Sequence, residues 1–395
     1  MNQATIFDVL YPKYKIIKPI RLIELFAGYG SQYLTLKYLG ANVKHYKICE
    51  WTAKSIQAYN DLHIQDYFDY SGNISDDNIL KVLIELGVSI NYNEPATKQQ
   101  LKRQNFRKIY NNIIATNNLV NIQNAKGEDF KIVDKDQYDY IMTYSFPCQD
   151  LSLAGKGKGM ADTSTRSGML WEVERILNEL KSTNSLPQIL LMENVPQVHG
   201  TGNVEHFNKW QLALEKLGYK NYFQDLIATD YGIPQTRNRC FMVSILGEYS
   251  YTFPKPIPLK LKLKDMLEDN VDEKYYLPEK YYKNIEYYEE NKNQIAYLNY
   301  SKQEQSNRVW NIENVSPTLC ASYRANDYLQ NIKIKIDNKI RVLTCKESFR
   351  LMGVKDEDYE NVAKNQSDSS LYHLAGDSIV VNVLMAIFKE LIKWF

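Results

Sequence analysis

The sequence predicts an α/β fold built on a doubly wound, mostly parallel sheet. Short apolar runs alternate with amphipathic stretches through the first half of the chain, as such a sheet requires. The first run, residues 21–27, ends in a glycine-containing turn, and the helical pattern at 32–39 stops at Gly40. A second run at 43–49 closes on Glu50. These segments form the strand–helix–strand unit from which parallel sheets are assembled.

Further elements continue this alternation. Four more apolar runs are predicted as strands, at residues 138–145, 188–195, 222–228 and 240–246. Helical spacing predicts helices at 169–180 and 204–217, and an apolar helix at 378–393 is long enough to pack back on the sheet. Ligands of doubly wound sheets bind beyond the carboxyl ends of the strands. The candidate site residues below all follow such ends.

Two stretches interrupt the alternation. Residues 61–118 are polar and partly helical, and they are predicted to be an insertion. From 247 to 340 the chain is rich in Tyr, Lys and Asn and opens with a proline cluster, FPKPIP, which predicts a separate, smaller domain. The predicted organisation is therefore a domain at 1–246, a smaller domain at 247–340, and a segment at 341–395 that packs back on the first.

Composition narrows the classes of protein. The chain of 395 residues is 44% hydrophobic and 24% charged, as globular proteins are. A net charge of +1 gives no sign of a nucleic-acid partner, so a DNA-binding protein of this composition must concentrate its basic residues on one face. The five cysteines lack CxxC spacing, which predicts neither a disulfide framework nor a metal site. Without a signal-peptide pattern or a membrane-length apolar run, a cytoplasmic location is expected.

The turn FAGYG, residues 26–30, is the first candidate site. Glycines between a strand and a helix let the backbone approach a ligand closely, although the pattern is neither GxGxxG nor a P-loop, and a purely structural turn explains it equally well. Glu50 ends the next strand, where an acidic residue can accept hydrogen bonds from ribose hydroxyls. Trp51 could stack on a base. Taken singly, both residues fit an ordinary surface as well.

Cys148 is the second candidate. A lone cysteine is usually a small buried apolar residue, but this one follows a predicted strand, beside Pro147 and the glycine-rich basic loop LAGKGKGM. A nucleophilic thiolate needs a pKa below the ordinary value of about 8.5. Four cationic side chains could supply the required field: Lys156, Lys158, Arg237 and Arg239.

Glu193 and a pair of arginines complete the candidates. Glu193 ends the apolar segment LLMENV, and a carboxylate so placed is costly unless it has a partner. Arg237 and Arg239 lie on one side of the segment QTRNR if that segment is extended, because side chains alternate along a strand. Paired arginines can hold a phosphate and a carbonyl oxygen at once. The alternatives are a structural carboxylate and a solvated edge.

In this order the motifs resemble the cytosine-C5 DNA methyltransferase family, of the bacterial or phage restriction–modification type. The matching segments are ELFAGYGS, CEW, SFPCQDLSLAGKGKGM, TRSGMLWE, LMENV, DYGIPQTRNRCFMV, SPTLCAS, RVLTCKESFRLMGV and AGDSIVVNV. They extend from Arg21 to Val383, and only residues 61–118 and about 248–312 lie outside them. The resemblance implies the S-adenosylmethionine-dependent methyltransferase fold, with residues 247–340 as target-recognition domain.

The resemblance also implies a mechanism. Cys148 adds to C6 of cytosine, which makes C5 a nucleophile toward the sulfonium methyl of S-adenosylmethionine. Glu193 hydrogen-bonds N3 and the exocyclic amine, and Arg239 holds O2 of the base. Arg237 supports the nucleophile or a neighbouring phosphate. The cytosine must be flipped out of the duplex, since the enzyme cannot otherwise reach it.

Ligand contacts are implied in the same way. The cofactor site comprises Phe26, Ala27, Gly28, Tyr29, Gly30, Glu50, Trp51, Asn121, Ile122, Pro147, Leu170, Asp377 and Ser378. Contacts to double-stranded DNA are expected from Gln149, Ser152, Lys156, Lys158, Gln235, Thr318 and Arg324. Within the smaller domain, phosphate contacts are expected from Lys255, Lys260, Lys262 and Lys264, and base contacts from Arg308, Asn311, Tyr323, Arg324 and Asn326. A monomer is expected, with a cognate restriction endonuclease as candidate partner.

Three departures from the family pattern stand out. Asn121, before Ile122, occupies the place of an aspartate that accepts from the adenine amine. Asp377 replaces the asparagine of a Gly-Asn-Ser motif, and Cys345-Lys346 replaces a Pro-Arg pair. The first two bear on cofactor affinity, while all the reacting groups are present.

Three alternatives remain open on sequence grounds. An RNA cytosine methyltransferase of the same fold is the nearest, although the long segment after Leu246 favours DNA, because base-edge reading needs a dedicated domain. A non-catalytic DNA-binding homologue is the second, and the intact Cys148, Glu193 and arginines disfavour it. A nicotinamide oxidoreductase is disfavoured because GxGxxG is absent.

Overall fold

The computed structural model describes residues 12–147, 167–283, 293–298, 308–323 and 330–393. The chain forms two compact units. The first comprises Met1–Leu226, Asn238–Lys255 and Leu384–Phe395, and the second comprises Ile227–Arg237 and Pro256–Val383. These boundaries differ from the predicted ones, because residues 341–383 cluster with the region predicted as the smaller domain and not with the first.

The first unit contains a six-stranded sheet in the order β2-β1-β3-β4-β6-β5. The strands are β1 (Ile20–Leu25), β2 (Val43–Cys49), β3 (Asp139–Tyr144), β4 (Ile189–Asn194), β5 (Tyr219–Ile227) and β6 (Asn238–Leu246). β1 runs parallel to β2 and β3, β3 runs parallel to β4, and β6 is antiparallel to β4. Every residue of β3 and β4 is buried, as expected for central strands covered on both faces. The predicted doubly wound, mostly parallel sheet is confirmed.

Element boundaries follow the predictions closely where apolar runs end at a glycine. The helix Val204–Leu217 has the predicted limits, with Gly218 as its C-cap. β5 differs, because it begins at Tyr219, three residues before the predicted start at Tyr222. The reason is its place at the edge of the sheet: most of its residues are at least partly exposed, so it needs no continuous apolar run.

Seven α-helices accompany this sheet within the described residues of the first unit, besides the C-terminal stretch from Leu384. They are α1 (Ser31–Tyr38), α2 (Ala53–Tyr59), α3 (Asp76–Glu85), α4 (Lys98–Lys102), α5 (Phe106–Ala115), α6 (Leu170–Ser182) and α7 (Val204–Leu217). The apolar faces of α6 and α7 pack into the main core with β3 and β4. α3, α4 and α5 enclose a separate apolar cluster that includes Leu83 and Ile113. The predicted insertion at 61–118 is therefore a helical subdomain with a core of its own.

The second unit has a four-stranded sheet in the order β10-β9-β8-β7. Its strands are β7 (Gln294–Tyr297), β8 (Arg308–Trp310), β9 (Lys333–Ile336) and β10 (Lys339–Val342), followed by α8 (Cys345–Arg350), α9 (Asp356–Ala363) and α10 (Asp368–Asp377). α8 begins with a capping box of Thr344 and Glu347. The same Glu347 carboxylate forms a buried ion pair with Arg341, at 2.6 Å. Lys346 belongs to the Cys345-Lys346 pair that replaces the Pro-Arg of the family pattern. Its ammonium group forms a surface ion pair with Glu360.

The chain ends in α11 (Val381–Leu391), where the predicted C-terminal helix lies. The combined stretch Asp368–Leu391 is long and apolar enough to cross a membrane, with a mean hydropathy of 1.6 over its best window. However, 67% of that window is buried within the protein, and α10 ends at Asp377, before α11 begins. This burial indicates helices that contribute to a protein core.

Candidate active site

The turn after β1, residues 26–30, has open space beside part of its backbone. Phe26, Gly28 and Gly30 have φ of 58°, 56° and 82°, in the left-handed region that glycine adopts without strain. The N–H of Phe26 donates to the Cys49 carbonyl at the end of β2, at 2.8 Å. A Cβ added at Gly28 would meet no atom within 4 Å. A ligand could therefore approach this part of the turn.

The other side of the turn packs against buried polar groups. A Cβ at Gly30 would lie 2.6 Å from Nε2 of His63, and that nitrogen is hydrogen-bonded to the Tyr29 carbonyl at 2.9 Å. Burial lowers the pKa of His63 well below its ordinary value, so the ring is neutral and Nε2 is the donor. Beneath it, burial raises the pKa of Glu24 to about 7, and its carboxyl accepts from the Tyr59 hydroxyl at 2.6 Å. This face of the turn therefore packs against His63, which in turn lies beside the hydrogen-bonded Tyr59 and Glu24.

Glu50 lies against this turn. One carboxylate oxygen accepts from the Gly28 N–H at 2.9 Å and the other from the Thr52 N–H at 2.8 Å. The main chain of Glu50 is held by Asn118, whose amide oxygen accepts from the Glu50 N–H at 3.0 Å and whose amide nitrogen donates to the Glu50 carbonyl at 2.8 Å. Asn118 was not predicted, because nothing in the sequence reveals that its segment lies beside β2.

The remaining predicted cofactor residues of this unit have mixed surroundings. Asn121 is buried, and its amide oxygen accepts from the Gln123 N–H at 3.0 Å. That oxygen retains a second lone pair for another donor. Trp51 is partly buried and packs against the apolar cluster of α3, α4 and α5. Leu170 is fully buried in the main core, while Pro147 is partly exposed.

Glu193 and Arg239 are brought together at the end of β4. The Glu193 carboxylate lies 3.1 Å from Nε of Arg239 on β6, and its other oxygen accepts from the Ser145 hydroxyl, after β3, at 2.5 Å. The two charged side chains are 8% and 17% exposed. Three adjacent strands therefore each position one polar group at this edge. The ion pair and the hydrogen bond offset the desolvation of the carboxylate.

Ser145 was missed as a site residue by the sequence reasoning. Its signal is positional, since it stands between a buried strand and the motif FPCQ. The next residue, Phe146, is held by its carbonyl, which accepts from the Asn194 amide at 3.0 Å. Cys148 itself lies outside the described residues, as do the predicted DNA contacts Gln149, Ser152, Lys156, Lys158 and Arg324.

In the second unit, Arg237 joins three loop segments. Its guanidinium donates to the carbonyls of Leu319 at 3.0 Å, Gly376 at 3.1 Å and Ser378 at 2.8 Å. Arg237 is only 4% exposed. The two terminal nitrogens are directed at main-chain oxygens, and the support of a nucleophile or phosphate by Arg237 stays a prediction. Arg237 thus acts as a structural clamp in its own unit.

Gln235 also has a structural environment. It is fully buried, and its amide donates to the Leu351 carbonyl at 2.8 Å and accepts from the Leu319 N–H at 3.0 Å. Both ends of this amide are used inside the protein, and a DNA contact by Gln235 stays a prediction. Thr318 is half-buried beside it, with its hydroxyl on the Thr236 carbonyl.

The C-terminal motif Gly376-Asp377-Ser378 requires its glycine. A Cβ at Gly376 would lie 2.3 Å from the carbonyl carbon of Cys320, so the backbone of the two segments could not approach this closely with any other residue. Asp377 is exposed and Ser378 is buried, with its hydroxyl on the Ala375 carbonyl at 2.9 Å. The aspartate that replaces the usual asparagine therefore faces solvent.

The lysines predicted to contact phosphates are partly paired. Lys262 and Lys264 both contact the Glu313 carboxylate, at 2.8 and 2.9 Å. Such exposed pairs contribute about 0–1 kcal/mol, so a phosphate could compete for either ammonium group.

Comparison of the structure with solved proteins shows which fold the chain has. The methyltransferase Dnmt2 of S. pombe aligns with a TM-score of 0.61 and 16% identity, covering 93% of this chain and 97% of that one. The Entamoeba histolytica methyltransferase EhMeth aligns with a TM-score of 0.60 and 15% identity, covering 95% and 98%. The fold, with a glycine turn after β1 and polar groups at the ends of β3 and β4, is that of an α/β methyltransferase.

Sequence comparison defines the family. The sequence model of the family described as C-5 cytosine-specific DNA methylase matches residues 84–393. The type II methyltransferase M2.ScrFI of Lactococcus lactis subsp. cremoris is 36% identical over 386 residues, which cover 95% of this chain and 99% of the relative. The orphan methyltransferase M.SssI of Spiroplasma monobiae is 33% identical, with coverage of 95% and 97%. The chain belongs to the C-5 cytosine-specific DNA methylase family and is a DNA (cytosine-5-)-methyltransferase.

Proposed function

We propose that this enzyme methylates C5 of a flipped-out cytosine in a specific DNA sequence, with Cys148 as nucleophile and S-adenosylmethionine as donor. The observation that carries the proposal is the Glu193–Arg239 pair, fixed by Ser145 at the carboxyl end of β4. Both charged groups are largely desolvated, and they lie next to the strand that leads into the motif with Cys148. Such a preorganised pair suits recognition of a polar ring.

The chemistry begins with activation of the base. Carbon 5 of cytosine is a poor nucleophile until a thiolate adds to C6. Formation of the bond between Cys148 sulfur and C6 moves electron density toward C5 and N3. Glu193 stabilises the ring by hydrogen bonds at N3 and the exocyclic amine, while Arg239 holds O2. Once C5 carries the methyl group, loss of the C5 proton and β-elimination of the Cys148 sulfur from C6 release the methylated base and the free enzyme. Water can accept that proton.

The residues present fit S-adenosylmethionine. Gly28 has open space where a side chain would be, and the Glu50 carboxylate lies beside it with lone pairs for ribose hydroxyls. When bound, the cofactor supplies an electrophilic methyl group on a sulfonium centre. In the first unit, the residues proposed to hold it are Phe26, Ala27, Gly28, Tyr29, Gly30, Glu50, Trp51, Asn121, Ile122, Pro147 and Leu170.

Asn118→Ala is expected to weaken S-adenosylmethionine binding about tenfold or more. The substitution removes both hydrogen bonds that hold the Glu50 main chain, and an unpaired buried polar group costs about 1–3 kcal/mol, where 1.4 kcal/mol corresponds to about tenfold in affinity. Asn121→Ala is expected to weaken binding as well, whereas Asn121→Asp preserves or tightens it. Calorimetric titration measures each change.

The control for this titration is Asn124→Ala, because the Asn124 amide is exposed and donates to the Glu85 carbonyl at 3.0 Å, away from Glu50 in the hydrogen bonds of the described residues. Wild-type affinity is expected for that variant. If Asn118→Ala also binds like wild type, support of Glu50 does not set cofactor affinity.

The region 247–340 is proposed to recognise the DNA target. All the proposed reacting groups come earlier in the chain, and this region carries the polar and basic side chains that contact phosphates and base edges. Lys262 and Lys264 remain candidates for phosphate contact despite their pairing with Glu313. The matching family, described as C-5 cytosine-specific DNA methylase, favours DNA over RNA as the substrate.

The cellular setting is proposed from the relatives. One relative is named a type II methyltransferase and another an orphan methyltransferase. By analogy with the relative named a type II methyltransferase, a cognate restriction endonuclease is the proposed partner. The enzyme is proposed to act as a cytoplasmic monomer, since one flipped-out cytosine occupies one active site.

Bisulfite sequencing of plasmid DNA from a host that expresses the enzyme tests the proposal. Cytosines that resist bisulfite conversion are expected within one short sequence motif, wherever that motif occurs in the plasmid. Purified enzyme with labelled S-adenosylmethionine is expected to modify duplex DNA and not tRNA. Methylation of tRNA alone would overturn the choice of DNA as substrate, and modified cytosines without a shared sequence would overturn target recognition.

A further inference from the structure

Three potential metal ligands converge outside the active-site pair. His199 ends the short helix Pro196–His199, Asp225 lies on β5 and Cys240 lies on β6. Their ligand atoms all lie within 4.8 Å of one another. Nε2 of His199 is 2.8 Å from Oδ1 of Asp225, and the Cys240 thiol is hydrogen-bonded to the same carboxylate. Imidazole, carboxylate and thiol therefore share one small volume.

This cluster is distinct from the catalytic pair. Side chains alternate between the faces of a strand, so Cys240 and its neighbour Arg239 point to opposite faces of β6. In the ladder Asn194 is opposite Cys240 and Glu193 is opposite Phe241, which places Glu193 on the face of Arg239. The mechanism proposed above uses the Glu193 face and leaves Cys240 without a role.

The site is both supported and open. The His199 ring packs beside the rings of Phe207 and Phe223, with centroids 6.0 and 5.5 Å away, which limits its orientations. Cys240 is fully buried, while the His199 and Asp225 side chains are 29% and 32% exposed. An ion could enter from the solvent side and bind the sulfur at the bottom of the site, where the Cys240 thiol gives up its proton to solvent on binding.

We propose that His199, Asp225 and Cys240 bind one Zn²⁺ ion. Nitrogen, oxygen and thiolate sulfur form a donor set that zinc accepts, and three protein ligands leave a fourth tetrahedral position for water. Zinc–ligand bonds of about 2.0–2.3 Å place tetrahedral donors roughly 3.3–3.7 Å apart. The donors already lie within 4.8 Å, so rotation of the partly exposed side chains suffices to close the site. The ion joins the helix Pro196–His199 to two strands of the sheet.

Zinc titration of the full-length, chelator-treated protein tests the proposal. Calorimetry with ZnCl₂ is expected to show one high-affinity equivalent, and CoCl₂ is expected to give a thiolate-to-cobalt charge-transfer absorption band. Cys240→Ser is expected to abolish that band. Cys240→Ser, His199→Gln and Asp225→Asn are each expected to lower zinc affinity by about tenfold or more. Zinc is also expected to raise the melting temperature of the wild type more than that of these variants.

Two cysteine variants serve as controls. Cys320→Ser removes an exposed thiol, and Cys148→Ala removes the proposed nucleophile. Both are expected to retain the zinc equivalent and the cobalt band. If the Cys240→Ser variant fails to fold, the zinc affinities of His199→Gln and Asp225→Asn, whose side chains are partly exposed, test the site. A wild type without stoichiometric binding, or binding that none of the three ligand substitutions weakens, overturns the site and leaves a hydrogen-bonded structural cluster.

Discussion

Cys148→Ala is expected to abolish methyl transfer, with a loss on the order of 10⁴-fold or more. The thiolate forms the bond that makes C5 reactive, and no other group can replace it in the proposed sequence of steps. Binding of DNA is expected to persist, because the nucleophile contributes little surface to the contact. Transfer of labelled methyl groups to duplex DNA measures the first effect, and a filter-binding or mobility-shift titration measures the second.

A mechanism-based trap identifies the covalent step. Duplex DNA with 5-fluorocytosine at the target is expected to give the wild type a denaturation-resistant adduct that requires S-adenosylmethionine, since fluorine at C5 leaves no proton for elimination. Cys148→Ala is expected to give none. Cys320→Ser, which removes an exposed thiol, is the matched control and should be trapped like wild type. Full activity or trapping in Cys148→Ala would assign the chemistry to another residue.

Glu193→Gln is expected to lower kcat by about a hundredfold to a thousandfold while DNA affinity changes little. Glutamine keeps the shape but loses the charge that stabilises the altered ring, and loss of one preorganised contact typically raises a barrier by about 2.7–4 kcal/mol. The pairing with Arg239 at 3.1 Å is weakened as well, so the guanidinium is less firmly directed. Single-turnover kinetics with saturating DNA measures the chemical step separately from binding.

Glu248→Gln provides the comparison for this variant. Glu248 is a largely exposed glutamate paired with Lys220 at 2.7 Å, and its substitution is expected to leave kcat unchanged. A Glu193→Gln enzyme within a factor of about three of wild type would assign Glu193 to support of the sheet edge. A large loss of DNA affinity would instead make it a binding residue.

The sequence predicts the sheet well because its strands carry their own signals. β3 and β4 are apolar throughout and are buried on both faces, so they are recognisable without a partner. Glu50 and Glu193 are predictable for a related reason. A carboxylate at the end of such a strand is costly to bury unless it has a partner, so its presence in an apolar segment indicates a specific role.

The residues missed are those whose meaning depends on a neighbour from elsewhere in the chain. Asn118 and Ser145 are small polar residues, and only the register of their segments beside Glu50 and Glu193 shows what they hold. Gln235 belongs to a family motif, which suggests a ligand contact, yet its amide is used for two main-chain bonds. The His199, Asp225 and Cys240 cluster draws on three separate elements, so cysteine spacing could not indicate it.

The Arg237 clamp bears on the construction of chimeras between relatives of different specificity. Residues 316–319 pair with 234–237: the Thr236 N–H donates to the Ser316 carbonyl at 2.9 Å, and Arg237 holds the Leu319 carbonyl. An insert that extends past Ser316 brings a foreign loop to a buried cation, and a buried charge that loses its partners costs about 3–5 kcal/mol. A splice junction before Ser316 keeps the clamp within one parent. An exchange that reaches the proposed base contacts beyond Ser316 is therefore expected to keep its stability only if residues 234–237 come from the same parent.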